Sequence, residues 1–198
     1  MKILALDLST HCGFATFEDG KLLEHGVIHA EKQVFDYGKY PYCFVAAAEA
    51  QIKSIVDRFL GETRYDAVIV ETINNGKNRF TQQLLNFLHF ELIRRVTFAP
   101  IFYVDSIAWR SAIGLIMSKE QKKANAKLSK AKREAAKTKT KLDKKKVGVK
   151  GKVTAKHLAV AHVNEVFGLK LKVKDNDAAD AICIGESWFK NVRHSDGA

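Results

Sequence analysis

The chain has 198 residues, a hydrophobic fraction of 46% and twelve Phe. That suits a single domain over residues 1–198 with a substantial core, and it excludes a disordered chain. No apolar run approaches the roughly 18 residues of a membrane span, and no charged-then-apolar leader opens the sequence. The three cysteines, Cys12, Cys43 and Cys183, show neither a disulfide framework nor a zinc spacing. They read as free core thiols in a reducing cytoplasm, that of a bacterial or phage-infected cell. The net charge of +11 is local: residues 119–156 hold sixteen Lys or Arg against three acids, and the other 160 residues sum to −2.

In chain order, KILALDLS is apolar apart from Asp7 and reads as a buried strand. HCG turns the chain into GFATFED, and the Asp19-Gly20 pair marks a hairpin into KLLEHGVIHA. From Tyr42 to Leu60 the residues Val45, Ala48, Ile52, Val56 and Phe59 recur at helical spacing, with Gly61 as a stop. YDAVIVETI is a second buried strand and carries one acid at its end, Glu71; NNGKNR follows as a polar loop. A long helix from Thr81 to Val96 has apolar residues on more than one face. PIFYVDS is a fifth strand and IAWRSAIGL a short helix. A lysine-rich, low-complexity insertion at about 119–152 then has almost no apolar content, and reads as an extended or fraying helical segment. TAKHLAVAHVNEVFG resumes the helical period, and a last helix begins in KVKDNDAADAICIG. The order predicts an α/β domain: a mixed five-stranded sheet, a three-strand antiparallel meander plus parallel strands, flanked by helices.

The acids are the conspicuous feature. Asp7 interrupts a buried strand and Glu71 ends one, and parallel pairing of the two strands sets these carboxylates side by side. Asp177 and Asp180, three apart at a helix start, share a face, and Ala178, Ala179 and Ala181 let that helix approach the sheet closely. Four carboxylates from three remote segments then converge, an all-oxygen donor set suited to Mg²⁺ or Mn²⁺. Two such ions suit phosphodiester cleavage. The structural alternatives are an N-cap for Asp177, a favourable first-turn acid for Asp180 and an ordinary strand end for Glu71. His157 and His162 read as helix-surface or packing residues.

The stretches ALDLSTHCGFA, AVIVETI and DAADAICIG, in that order, resemble the RuvC-like Holliday junction resolvases of the RNase H superfamily. The lysine segment departs from the bacterial pattern and looks like variants that phages carry. The resemblance implies an RNase H-like fold with Asp7, Glu71, Asp177 and Asp180 as metal-binding catalytic acids. It implies Mg²⁺-dependent cleavage of branched DNA at four-way junctions. It further implies a two-fold homodimer, formed through the helix from Thr81 to Val96 unless that helix is simply buried in the core. Lys156 matches a family lysine at the scissile phosphate, and Arg110 is a looser match to another basic position. Asp175 has no family counterpart and reads as a loop or capping acid. The family's junction-wedging aromatic falls at Asn74 here, so that Phe80 or Asn75 replaces it or the wedge is absent.

Bases across the chain are candidate nucleic-acid contacts: Lys77 and Arg79 after Glu71, Arg110, then Lys144, Lys145, Lys146 and Lys152 in the insertion, and Lys156. A polycationic arm offsets the repulsion between an acidic site and DNA by counterion release. An RNase H-like enzyme cutting RNA–DNA hybrids and a non-catalytic nucleic-acid-binding protein are the competing readings. A sugar kinase or ATPase of the actin type is the least favoured reading, since 198 residues do not supply two duplicated domains.

Overall fold

The computed structural model describes residues 1–29, 39–59, 64–73, 78–97, 99–138 and 151–195, with side chains described as far as residue 191. The first three strands, β1 (Lys2–Asp7), β2 (His11–Glu18) and β3 (Lys21–His29), form the expected meander. Its hairpin turns at Asp19 and Gly20, whose φ angles of 51° and 84° are those of a tight turn matched to strand twist. After α1 (Tyr42–Phe59) come β4 (Ala67–Glu71), α2 (Arg79–Arg95), β5 (Ile101–Val104) and α3 (Ser106–Ala112). The chain continues through α4 (Lys119–Lys137) and α5 (Ala155–Phe167) to α6 (Asn176–Ser195). The sheet order is β3-β2-β1-β4-β5, antiparallel across β2 and parallel from β1 through β4 to β5.

Strand alternation divides the core into two layers. Leu4, Leu6, Val68 and Val70 face α1 and α2, and pack with Ile52, Ile55, Leu88 and Leu92. Ile3, Ala5, Ala15, Phe17, Ala67 and Ile69 face the other way, against Trp109 of α3, Val160 and Val163 of α5, and Ile182 of α6. Asp7 and Glu71 share the parity of the second set, so the pleat aims both towards α6.

Two sequence boundaries move. His11, Cys12 and Gly13 do not turn the chain; they already belong to β2, and Gly13 pairs with Asp7. Arg79 is not a loop residue but opens α2, because the Asn78 side chain accepts from the backbone N–H groups of Phe80 and Thr81 and caps the helix there.

The lysine segment resolves to the helical one of its two expected forms over Lys119–Lys137. Ser118 and Gln121 close a capping box at its start, and Leu128 is 2% exposed. Asn125 accepts from the Val153 N–H (3.0 Å) and donates to its carbonyl (2.7 Å), which ties α4 to the irregular segment leading into α5. Cys12 and Cys183 are buried free thiols, with burial pushing both upward in pKa. Among the described residues, no helix is long and apolar enough to cross a membrane.

Candidate active site

The site forms where β1 and β4 end. Leu6 pairs with Val70 in the parallel ladder, so Asp7 and Glu71, each one residue further on, lie side by side. Asp177 and Asp180 arrive from the first turns of α6, whose Ala178, Ala179 and Ala181 are buried against the sheet. The close approach depends on Gly13 as well: a Cβ there would stand 1.9 Å from the Asp177 carbonyl oxygen. A glycine inside a strand is a recognised sign of close backbone approach, and sequence reading assigned it to a turn instead.

Burial and like-charged neighbours act on two of these acids, Asp7 and Asp180. Burial pushes Asp7 up to about 8, and Asp180, Glu71 and Asp177 push in the same direction. Asp180 rises to about 6 through burial, with Arg110 opposing the rise. Two cations stand among the acids. Lys156 Nζ lies 3.8 Å from Asp177 Oδ1, and Arg110 Nη2 lies 3.8 Å from Asp180 Oδ2 and 4.0 Å from Glu71 Oε2. Arg110 therefore sits within the acid cluster, where sequence reading had it as a nucleic-acid contact.

The donor chemistry suits a hard divalent cation. Every acid offers oxygen, and Asp180 Oδ1 is buried with no hydrogen-bond partner. The side chains do not close on a common point, however: among the described residues, no three His, Cys, Asp or Glu groups form a set able to hold a metal ion. Arg110 stands between Glu71 and Asp180 instead.

Several contributors were not foreseen. Trp109 donates from Nε1 to Glu71 Oε2 at 3.0 Å across a separation of 38 residues. Asp105 caps α3 by accepting from Ile107 and Ala108, which starts the helix directly after β5 and brings Trp109 and Arg110 to Glu71. His89 lines the cleft beside Asp7, Ser9, Glu71, Thr72 and Leu85. Its Nδ1 lies 3.2 Å from the Tyr103 hydroxyl, and burial lowers its pKa to about 4. A buried indole needs an acceptor, but no local pattern names which one.

The other residues singled out by the sequence take a variety of places. Asp175 accepts from the Lys172 N–H (2.9 Å) and is a capping acid. His157 completes the capping box of α5 with Thr154, and His162 Nε2 meets Glu186 at 2.6 Å between α5 and α6. Arg79 and Lys152 are exposed. Phe80 is 50% exposed and packs its ring against Phe44. Lys77, Asn74, Asn75, Lys144, Lys145 and Lys146 lie outside the described residues.

Solved structures with the same fold span nearly the whole chain. RuvC of Thermus thermophilus in complex with a Holliday junction substrate superposes with a TM-score of 0.59 at 16% identity, covering 98% of this chain and 96% of that one. The chain has the RuvC fold. A second structure of Thermus thermophilus RuvC gives 0.58 at 16% identity, covering 98% and 97%. The yeast mitochondrial Holliday junction resolvase gives 0.52 at 12% identity, covering 97% of this chain and 80% of that one. No family model matches the sequence, and no curated protein matches it. The RuvC-like, RNase H-type sheet expected from three short motifs is the sheet observed.

Proposed function

We infer that the protein is a divalent-metal-dependent endodeoxyribonuclease that resolves branched DNA, four-way junctions above all, by paired phosphodiester hydrolysis. The observation that carries this reading is the grouping of Asp7 with Glu71, Asp177 and Asp180, all three within electrostatic reach of it, where β1 and β4 end in a RuvC fold. The four carboxylates would hold Mg²⁺, with Mn²⁺ able to substitute and two ions per site. Such ions, when bound, activate water and stabilise the leaving oxygen. Asp7, raised to about 8, must give up the proton that burial favours before it ligates. Lys156, at the mouth of the site beside Asp177, meets the negative charge that develops at the scissile phosphate.

DNA is drawn in by bases along the chain: Arg79, Lys152 and Lys156, the exposed lysines of α4, and, in sequence, Lys77, Lys144, Lys145 and Lys146. These contacts engage phosphate and give affinity without sequence choice. Two copies pair through α2, whose Phe90 and Ile93 are 62% and 55% exposed on one stripe of the helix. A two-fold dimer then offers one site to each of two symmetric strands. Phe80 serves as the wedging aromatic. Three free cysteines agree with a reducing, cytoplasmic setting.

The test is a panel of labelled four-way junction, flap, linear duplex and RNA–DNA hybrid, each with Mg²⁺ and with EDTA, beside Asp7→Asn. Paired symmetric nicks in the junction, absent in EDTA and in the variant, are expected. Cleavage of the hybrid alone would replace this reading with an RNase H-like one. Binding without cleavage of any substrate would leave a nucleic-acid-binding protein.

A further inference from the structure

Trp109 and Arg110 are neighbours in α3, yet their side chains treat the acids in opposite ways. The indole N–H of Trp109 makes a true hydrogen bond to Glu71 Oε2, at 3.0 Å, and the ring is 1% exposed and locked in the core. Such a donor fixes a carboxylate's orientation at almost no entropic cost, because a buried ring has little freedom left to lose. The Arg110 guanidinium, stacked 4.1 Å above the same ring, is tied down by Nη1 donating to the Ser106 carbonyl at 3.1 Å. Its approaches to Glu71 and Asp180 are 4.0 and 3.8 Å, beyond hydrogen-bonding distance, and its Nε is buried without a partner. It neutralises these carboxylates by charge without binding either of them firmly.

We propose that Trp109 is the positioning residue that orients Glu71 for a divalent ion, and that Arg110 is a resident counter-cation that the ion must displace from between Glu71 and Asp180. This rests on the metal-dependent reading above. Partners that orient a ligand typically set metal affinity by about 10–100-fold, which gives the size of effect to expect from Trp109. Arg110 carries the opposite sign. Its positive charge and the ion compete for the same oxygens, so its removal strengthens ion binding.

The test is Mn²⁺ affinity of the full chain without DNA, read from the electron paramagnetic resonance signal of free Mn²⁺. Trp109→Phe should weaken Mn²⁺ binding by about 10–100-fold, and Arg110→Gln should tighten it severalfold. Loss of a core indole can itself unfold the protein. The isosteric 3-benzothienylalanine at position 109, which keeps the ring volume and removes only the N–H, should therefore weaken binding as the Phe variant does. Mn²⁺ affinity within twofold of wild type in the benzothienyl protein would overturn the role of Trp109. Unchanged or weakened binding in folded Arg110→Gln would overturn the role of Arg110. A wild-type chain that binds no Mn²⁺ would overturn both, together with the proposed metal-dependent function; binding by wild type with insensitive variants sinks this inference alone.

Discussion

Gly13 of β2 lies directly beneath Asp177: a methyl group at position 13 would stand 1.9 Å from the Asp177 carbonyl oxygen and 2.3 Å from its carbonyl carbon. Backbone meets backbone here, so neither side can turn aside as a flexible side chain would. The start of α6, and with it both of its aspartates, is held at the sheet by the absence of one Cβ.

Gly13→Ala should therefore push the first turn of α6 away from Asp7. Overpacking of this kind costs about 1–3 kcal/mol, to be read from urea unfolding. Junction cleavage should fall further than the stability loss explains, because the acids separate. An alanine variant with wild-type midpoint and wild-type cleavage would show that the contact is readily relieved.

The three aspartates near the C-terminus should divide by role. Asp177→Asn and Asp180→Asn should each reduce cleavage by at least the 10–100-fold typical of losing a mere ligand-orienting partner, roughly, while junction binding in gel shifts is retained. Asp175 caps a short turn through the Lys172 N–H, and Asn caps as well as Asp, so Asp175→Asn should leave both activities intact. Equal loss from all three variants would contradict this division.

In metal-free protein, stability should fall as pH rises. Burial and its acidic neighbours raise Asp7 from its ordinary 3.8 to about 8. A raised carboxyl binds its proton more tightly in the folded state. The stability it contributes is thus fully present below 3.8 and is lost as pH climbs towards about 8. Asp180, raised to about 6, adds to the decline over the lower part of that window. In EDTA, melting temperatures should drop across this range, and Asp7→Asn should flatten the profile and exceed wild type by about 0.5–2 kcal/mol near its upper end. Mg²⁺ should restore the wild type and not the variant. A pH-independent wild-type profile in EDTA would rule out this charge repulsion.

The lysine helix should act through charge alone. Leu128 and Asn125 anchor α4, so wholesale deletion would confuse loss of charge with loss of structure. Replacing the exposed Lys122, Lys123, Lys127 and Lys130 by Gln avoids that. Junction affinity should weaken at low salt, and the dependence of log K on log salt should flatten by up to about 0.9 for each phosphate the helix no longer neutralises. An unaltered slope would mean that α4 does not touch DNA.

Much of this was readable in the chain itself, wherever the governing physics is local. Strand alternation is a two-residue period, so the parity shared by Ile3, Ala5 and Asp7, and by Ala67, Ile69 and Glu71, already sends both acids to one face. The three-residue spacing of Asp177 and Asp180 put them on one side of a helix in the same way, and the Asp19-Gly20 turn announced the meander. Tertiary structure alone decided who meets those acids. The Trp109 indole reaches Glu71 across 38 residues, Arg110 enters the cluster instead of standing outside it, and Gly13 serves as a floor for α6 instead of a turn. Such partnerships depend on how whole layers pack, and a buried donor's need for an acceptor carries no address in its own sequence neighbourhood.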